Sequence, residues 1–140
     1  ASKVMRSEKR LLDTNFIVRY LIQDDERQAQ QAERLFGACD RGEVQLVLLP
    51  LVLAECVFVL QSFYKRSREY IAEGLQMLLS NPDVVIADKG VYMDALARYG
   101  SCKAHFVDCT IAAHGAAGKL AIATFDEGFA KFHDVTVKID

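Results

Sequence analysis

The sequence predicts an α/β fold in which helices cover both faces of a mostly parallel β-sheet. Two observations lead to this prediction. Short apolar strands alternate with helical segments along nearly the whole chain, and the strands predicted at residues 44–49 and 120–124 are apolar on both faces. Strands that are buried on both faces are typical of parallel sheets between layers of helices. The expected architecture is therefore a three-layer α/β/α sandwich.

The elements of the first third of the chain follow this alternation. A short strand at residues 10–12 precedes a helix at residues 16–22. The next helix, at residues 26–39, carries apolar side chains at helical spacing and is ended by Gly42. A buried strand then follows at residues 44–49.

Two helices are predicted in the middle of the chain. Pro50 suits the first turn of a helix at residues 51–63, because its missing N–H has no partner at that position. Ser67 is the expected N-cap of a helix at residues 68–79. The sequence Ser-Asn-Pro-Asp at residues 80–83 indicates a turn that closes this unit.

The last third again alternates strands with helices. A short strand at residues 84–87 leads to a helix that Asp88 caps and that ends at Gly100, and an alanine-rich helix covers residues 108–118. The chain is then predicted to close with a strand at residues 120–124, a short helix at residues 127–132 and a strand at residues 135–139.

The composition is that of one folded globular domain. The chain has 140 residues, of which 51% are hydrophobic and 26% are charged, so it can bury a sizeable core. Its net charge of -2 argues against a protein that coats nucleic acid through bulk positive charge. We expect a single domain over residues 1–140 that meets any polyanion through local basic patches or metal ions.

Cysteine usage and the apolar runs favour a reducing, cytoplasmic setting. The four cysteines form no CxxC pair and have no histidine at zinc-finger spacing. The first ten residues lack the apolar centre of a secretion signal. The longest apolar run, residues 46–60, is broken by Pro50 and Glu55 and is shorter than the ~20 residues that cross a bilayer. No membrane segment is expected.

Acidic residues follow two of the predicted strands. Asp13, with Thr14 and Asn15, comes directly after the first strand, and Asp126 comes after the strand that ends at Thr124. In open parallel sheets, ligands bind at the carboxyl ends of the strands. If these two strands are neighbours, both carboxylates project from the same edge. Helix capping explains either motif taken alone at least as well.

Two further carboxylates belong to helices. Glu55 lies within a helix that is apolar on every face, so no ordinary solvated position is expected for it. A buried ion pair or a neutral, hydrogen-bonded glutamate is as good an explanation for it as a metal site. Asp108, at the start of its helix, is unremarkable as a cap. Together with Asp13 and Asp126 they suggest one acidic cleft, in which four mutually repelling anions need cations.

Oxygen ligands without histidine or cysteine select a hard cation, Mg²⁺ or Mn²⁺. Two such ions can clamp the attacking and leaving oxygens of a phosphoryl displacement. The chemistry that these residues suggest is hydrolysis of a phosphodiester by a metal-activated water.

Four segments carry a resemblance to a known family. LLDTNFIVRYL, PLVLAECVFVL, FVDCTIAA and IATFDEGF occur in this order, and over about residues 11–137 the chain thereby resembles a PIN domain, specifically a VapC-like toxin ribonuclease of a prokaryotic type II toxin–antitoxin pair. The resemblance implies a compact α/β/α sandwich that uses Mg²⁺ or Mn²⁺ to cleave single-stranded regions of RNA. The implied metal-holding and catalytic positions are Asp13, Glu55, Asp108 and Asp126, with Asn15 and Thr124 as polar support.

The resemblance also implies partners. Members of this family normally form homodimers and are inhibited by a small antitoxin whose C-terminal segment fills the acidic cleft, often with a basic side chain. The chain departs from the usual pattern at Cys109, where alanine is more common, and at Glu127 and Gly128, which replace a commonly more charged pair. These departures concern local substrate contacts and leave the four acids in place.

Histidines and basic residues are weaker candidates for contacts with RNA. His105 precedes Asp108 and is a candidate substrate contact, whereas His114 is interpreted as a surface or packing residue and His133 as a loop residue. A solvated helix end explains each basic candidate at least as well as a phosphate contact. The basic candidates are Arg6, Lys9, Arg10, Lys65, Arg66, Arg68, Lys103 and Lys119.

Two other functions stay open. A phosphoaspartyl receiver or phosphatase also places aspartates around Mg²⁺ at strand ends, but it needs a nucleophilic aspartate with a lysine and a hydroxyl on later strands. Glu55 within a helix fits that arrangement poorly, and no lysine follows a strand at the right place. The second alternative is a non-catalytic interaction module whose acidic cleft binds a basic partner.

Overall fold

A parallel three-stranded sheet and six α-helices form the structure, a computed structural model that describes residues 8–140. The strands are β1 (Glu8–Leu11), β2 (Val44–Val47) and β3 (Val84–Val85). The helices are α1 (Thr14–Ile22), α2 (Glu26–Asp40), α3 (Pro50–Ser62), α4 (Arg68–Leu79), α5 (Lys89–Ser101) and α6 (Phe106–Gly118), and a 3-10 helix follows at Glu127–Lys131. The predicted α/β class is confirmed.

The central strand of the sheet is β2. β1 pairs with it in parallel, with Leu11 opposite Val47, and β3 pairs on the other side, with Val84 opposite Leu46. The backbone N–H of Leu12 extends the first ladder by donating to the Val47 carbonyl at 2.9 Å. Because all three strands run in parallel, the segments that follow β1 and β2 leave the sheet at the same edge.

The helices begin close to their predicted positions. Ser67 is the N-cap of α4, as predicted, and its hydroxyl accepts the backbone N–H of Tyr70 at 3.1 Å. Pro50 is the first residue of α3, also as predicted. Asp88 stands before α5 in the left-handed conformation (φ 55°), and its side chain makes no capping hydrogen bond. Asp88 thus stands at the predicted N-cap position, but its side chain does not cap the helix.

The two strands predicted after α6 are reduced to one parallel bridge between Ile122 and Val137. Ile122 donates its backbone N–H to the Thr136 carbonyl at 2.8 Å and accepts that of Lys138 at 2.9 Å. Ile122 is buried, whereas Leu120 is 64% exposed. A segment with a single buried apolar side chain anchors poorly, so the prediction of a strand buried on both faces at residues 120–124 is wrong. Within residues 8–140, β1 is consequently an edge strand.

The buried contacts between α4, α5 and α6 are organised by Tyr99 and Arg68. Tyr99 is fully buried and donates its hydroxyl to Gln61 at 2.6 Å. The Arg68 guanidinium lies 3.9 Å from the centre of the Tyr99 ring and donates to the carbonyls of Tyr99 and Ala104. Arg68 therefore fixes the segment that enters α6. Its guanidinium makes these structural contacts, so Arg68 is neither the solvated helix end nor the free phosphate contact that the sequence left open.

The other basic candidates lie mainly on the surface. Arg10 pairs with Glu8 through two hydrogen bonds, and Arg66 donates to the Tyr64 carbonyl at 3.1 Å. Lys103 and Lys119 are exposed. Arg6 lies outside the described residues.

The cysteine side chains are all free thiols. Cys39, Cys56 and Cys109 are fully buried in the hydrophobic core, while Cys102 is only partly buried. This agrees with the interpretation of most of them as small apolar residues. No helix among residues 8–140 combines the length and the apolarity that a bilayer span requires.

Candidate functional site

Asp13 marks the junction between β1 and α1. It is extended (φ -95°, ψ 152°), stands at the N-cap of α1 and accepts the backbone N–H of Thr14 at 2.9 Å. Its side chain is exposed. The predicted helix start at residue 16 is two residues late, and of the three polar residues in this motif it is Asp13 that caps the helix.

Thr14 joins the first acidic residue to the second. Its side chain is 6% exposed and is the one buried polar side chain among the described residues. Its hydroxyl donates a hydrogen bond to Oε1 of Glu55 on α3. The carboxyl ends of β1 and β2 thus bring Asp13 and Glu55 to one edge of the sheet, with Thr14 between them. Sequence reasoning missed this role of Thr14.

Glu55 is exposed, which corrects the expectation that it has no solvated position. The outward face of α3 carries Leu51 and Phe58, which are 81% and 67% exposed, on either side of Glu55 at helical spacing. The helix is apolar all round because this outward face is apolar as well as the buried one. Glu55 therefore needs no buried ion pair.

The negative charges of Asp13 and Glu55 affect the pKa of a buried thiol in the core. Burial raises the pKa of the Cys56 thiol to about 12, and the negative charges of Glu55 and Asp13 add to this shift. The influence of both charges on one buried thiol is consistent with their common location at the sheet edge. It also keeps Cys56 protonated and unreactive at neutral pH.

Asp108 lies in the first turn of α6. The helix begins at Phe106 with His105 at the N-cap, so Asp108 is the third helical residue rather than the cap that was predicted. It is half-buried, and the positive end of the helix dipole favours its negative charge. His105 is exposed and its side chain makes no capping hydrogen bond.

Asp126 is held by short-range contacts. It is the N-cap of the 3-10 helix, where its carboxylate accepts the backbone N–H of Gly128 at 2.8 Å. Its own N–H donates to the Thr124 hydroxyl at 3.0 Å. A Cβ atom at Gly128 would lie 2.9 Å from Oδ1 of Asp126, so the glycine allows the carboxylate to approach the backbone. Gly128, which differs from the usual residue of the resembling family, thus has a structural reason.

The remaining histidines have structural surroundings. His114 packs edge-on against Tyr92, with ring centres 5.7 Å apart, as expected for a packing residue. His133 is exposed just after the 3-10 helix, in agreement with its prediction as a loop residue.

Of the four acidic residues, Asp13 and Glu55 form a pair, and Asp108 and Asp126 occupy two further positions. Asp13 and Glu55 are connected through Thr14, and no group of three or more histidine, cysteine, aspartate or glutamate side chains suited to a metal ion occurs within residues 8–140. The donor types nevertheless fit a hard cation, because Asp13 and Glu55 offer exposed carboxylate oxygens without nitrogen or sulfur ligands.

Two cavities adjoin Asp13. The smaller one has a volume of about 160 Å³ and lies between α1 and α2. Apart from Asp13, its wall is formed by Asn15, Phe16, Arg19, Gln28 and Gln31. The second cavity has a volume of about 510 Å³ and extends from Asp13 along β1 and α2. A molecule that approaches the carboxylate pair therefore finds amide and guanidinium groups beside Asp13.

A comparison with protein families gives a match. A family model described as PIN domain matches residues 10–135. This range contains all four acidic positions and both elements that carry the Thr14–Glu55 contact. No curated protein and no solved structure matches the chain.

Proposed function

Because the chain belongs to the PIN domain family, a superfamily of Mg²⁺-dependent nucleases, we propose that it is an endoribonuclease that hydrolyses RNA phosphodiester bonds. The observation that carries the proposal is the contact of Thr14 with Glu55 beside Asp13 at the carboxyl edge of the sheet. This is the edge at which open parallel sheets bind ligands.

We assign the catalytic and metal-holding roles to Asp13, Glu55, Asp108 and Asp126. When bound there, Mg²⁺ or Mn²⁺ supplies a Lewis acid and a water of lowered pKa. The exposed carboxylates of Asp13 and Glu55 would hold the cation, and because Thr14 engages one oxygen of Glu55, the other oxygen would be the one offered to the metal. Asn15 beside Asp13 and Thr124 beside Asp126 are the supporting residues.

The proposed biological role is that of the toxin in a toxin–antitoxin pair in the cytoplasm. The outward face of α3 supports a protein partner, because Leu51 and Phe58 are exposed on both sides of Glu55. A partner segment with apolar side chains and one basic side chain would match this face in shape and in charge. In this proposal a small antitoxin binds the outward face of α3. A second copy of the chain covers the remaining exposed apolar surface.

The test of the proposed function is metal-dependent RNA cleavage. Purified protein is incubated with single-stranded RNA in Mg²⁺ or Mn²⁺, and then with an excess of chelator. We expect internal cuts in the presence of metal and none with chelator, because the carboxylates need a cation to activate water. Intact RNA under every metal condition would contradict the proposal. Labelling of an aspartate by a small phosphodonor would instead support the receiver alternative.

Thr14→Val separates the positioning role of Thr14 from its packing role. Valine keeps the shape of threonine but removes the donor to Glu55. We expect the cleavage rate to fall about tenfold, since a hydrogen bond to a charged group is worth ~1.5–3 kcal/mol. The Mn²⁺ concentration that gives half of the maximal rate should rise, while the midpoint of thermal unfolding changes little because Glu55 remains hydrated.

Thr14→Ser is the matched control because it restores the hydroxyl. It should recover most of the cleavage rate and the original Mn²⁺ requirement. If Thr14→Val and Thr14→Ser were equally active, Thr14 would have a packing role only.

A further inference from the structure

Arg19 and Gln28 line the smaller of the two cavities beside Asp13. Nε of Arg19 donates to Oε1 of Gln28 at 2.7 Å, and this bond joins α1 to the first turn of α2. Because a guanidinium can only donate, the bond holds the oxygen of the Gln28 amide and leaves its NH₂ group as a donor. Within residues 8–140, neither Nε2 of Gln28 nor Nη2 of Arg19 donates a hydrogen bond. The residues of the cavity wall therefore have N–H donors to offer to a ligand.

The Arg19 guanidinium is held in place from its other side. Nη1 of Arg19 donates to the Tyr64 hydroxyl at 2.8 Å and to Oδ1 of Asp24 at 3.3 Å. The Tyr64 hydroxyl in turn donates to Oδ2 of Asp24 at 3.2 Å. An ion pair with an exposed carboxylate is weak, so Asp24 orients the guanidinium without cancelling its attraction for an anion. Arg19 is thus fixed before any ligand arrives.

The size and the donors of this cavity suit a phosphate group. Its volume of about 160 Å³ corresponds to about five waters, which is room for one phosphate and too little for a whole nucleotide. Guanidinium and side-chain amide N–H groups are donors that proteins use to bind phosphate oxygens. Because Asp13 lines the same cavity, a phosphate bound there lies beside a carboxylate that we assign to the metal.

Given the proposed function, on which this inference rests, we propose that Arg19 and Gln28 bind the RNA phosphate next to the bond that is cut. Nη2 of Arg19 and Nε2 of Gln28 donate to the non-bridging oxygens of this phosphate, and the contact positions the strand at Asp13. Phosphates recur along every RNA strand, so the contact sets the register of the strand without selecting its sequence.

Gln28→Glu tests the contact without removing the support of Arg19. Glutamate keeps an oxygen for Nε of Arg19 but replaces the free NH₂ group by a negatively charged oxygen. It also stands in the first turn of α2, where the helix dipole favours a negative charge, so the midpoint of thermal unfolding should stay constant or rise. The affinity for labelled single-stranded RNA should fall about tenfold or more, because a donor to a charged group is lost.

Fluorescence anisotropy measures this affinity with Ca²⁺ as the cation, since Ca²⁺ binds oxygen ligands in a looser geometry than Mg²⁺, and the RNA is checked to be intact afterwards. Gln30→Glu is the matched control, because Gln30 is exposed on the same helix and lines neither cavity beside Asp13. Its affinity should stay close to the wild-type value. The slope of log affinity against log salt should become shallower by about 0.7 in Gln28→Glu, the value for one phosphate of a single strand, and should not change in Gln30→Glu.

Two results would overturn the inference. Equal RNA affinities of Gln28→Glu and Gln30→Glu would mean that the cavity binds no phosphate. A loss of affinity limited to RNAs with one particular base, at an unchanged salt slope, would mean that the cavity holds a base instead.

The proposed function is tested separately, by cleavage in Mg²⁺ or Mn²⁺. Wild-type protein that leaves RNA intact would contradict hydrolysis, whereas a difference in affinity and salt slope between the two variants would still support the phosphate contact. Where RNA is cut, Gln28→Glu should raise KM with little change in kcat, because the contact is the same in the ground state and in the transition state.

Discussion

Asp13→Asn should lower the rate of metal-dependent RNA cleavage about 100-fold or more, because it removes one negative charge from a cation that only a few carboxylates hold. Asparagine is as good an N-cap as aspartate, so it can still accept the backbone N–H of Thr14 and keep the start of α1. The variant should therefore fold with an unchanged circular dichroism spectrum while its affinity for Mn²⁺, measured by calorimetry, falls in step with the cleavage rate.

Asp25→Asn is the matched control for this variant. Asp25 is also an exposed N-cap, and its side chain accepts the backbone N–H of Gln28 at 3.0 Å at the start of α2. The same chemical change at this position should leave the cleavage rate and the Mn²⁺ affinity at their wild-type values. If Asp13→Asn cleaved RNA as fast as Asp25→Asn, Asp13 would be a structural cap and no metal ligand.

The position of Asp13 could be predicted from the sequence because its signal is local. A run of apolar residues that ends in Asp-Thr-Asn indicates a strand end and a helix start, and both occur there. The burial of Thr14 could be predicted from the same segment. Leu12 and Thr14 are buried while Leu11, Asp13 and Asn15 are exposed, so burial alternates from the end of β1 into the first turn of α1, and Thr14 lies on the buried side.

The exposure of Glu55 could not be predicted from its helix alone. An apolar side chain has the same hydrophobicity whether a neighbouring element covers it or not, so Leu51 and Phe58 suggested a buried environment although both are exposed. What covers a face depends on contacts between distant segments. The same limit applies to Arg68, whose partners Tyr99 and Ala104 lie 31 and 36 residues further along the chain.

The prediction of the last two strands was wrong for a different reason. Residues 120–124 consist of small or apolar residues that suit a buried strand, but strand propensity measures packing against neighbours more than any preference of the backbone. Only Ile122 is buried, and the backbone there pairs with Thr136 and Lys138 instead of with β1. A sequence pattern indicates that a segment tends to form an extended strand, but it does not determine which segment that strand pairs with.

Gly100→Ala should destabilise the fold more than any surface substitution. A Cβ atom at this position of α5 would lie 2.9 Å from Cβ of Ala72 on α4, closer than two carbon atoms can approach without displacement. Both helices are anchored by fully buried side chains near this point, including Ile71 and Tyr99, so neither can move without disturbing the core. Overpacking of this kind costs about 1–3 kcal/mol of the free energy of unfolding, which a urea titration measures.

Gly90→Ala on the same helix provides the control. Apart from its chain neighbours and the backbone of its own helix, nothing lies within 4 Å of a Cβ built at Gly90, so alanine there gains helix propensity without a clash and should raise the free energy of unfolding by up to ~1 kcal/mol. If the same substitution at the two positions changed the free energy of unfolding in opposite directions, the contact with Ala72 would set the spacing of α4 and α5. Equal effects would mean that α4 yields at this point. Because Arg68 on α4 fixes the entry to α6 through Tyr99 and Ala104, the spacing that Gly100 permits also determines where Asp108 stands.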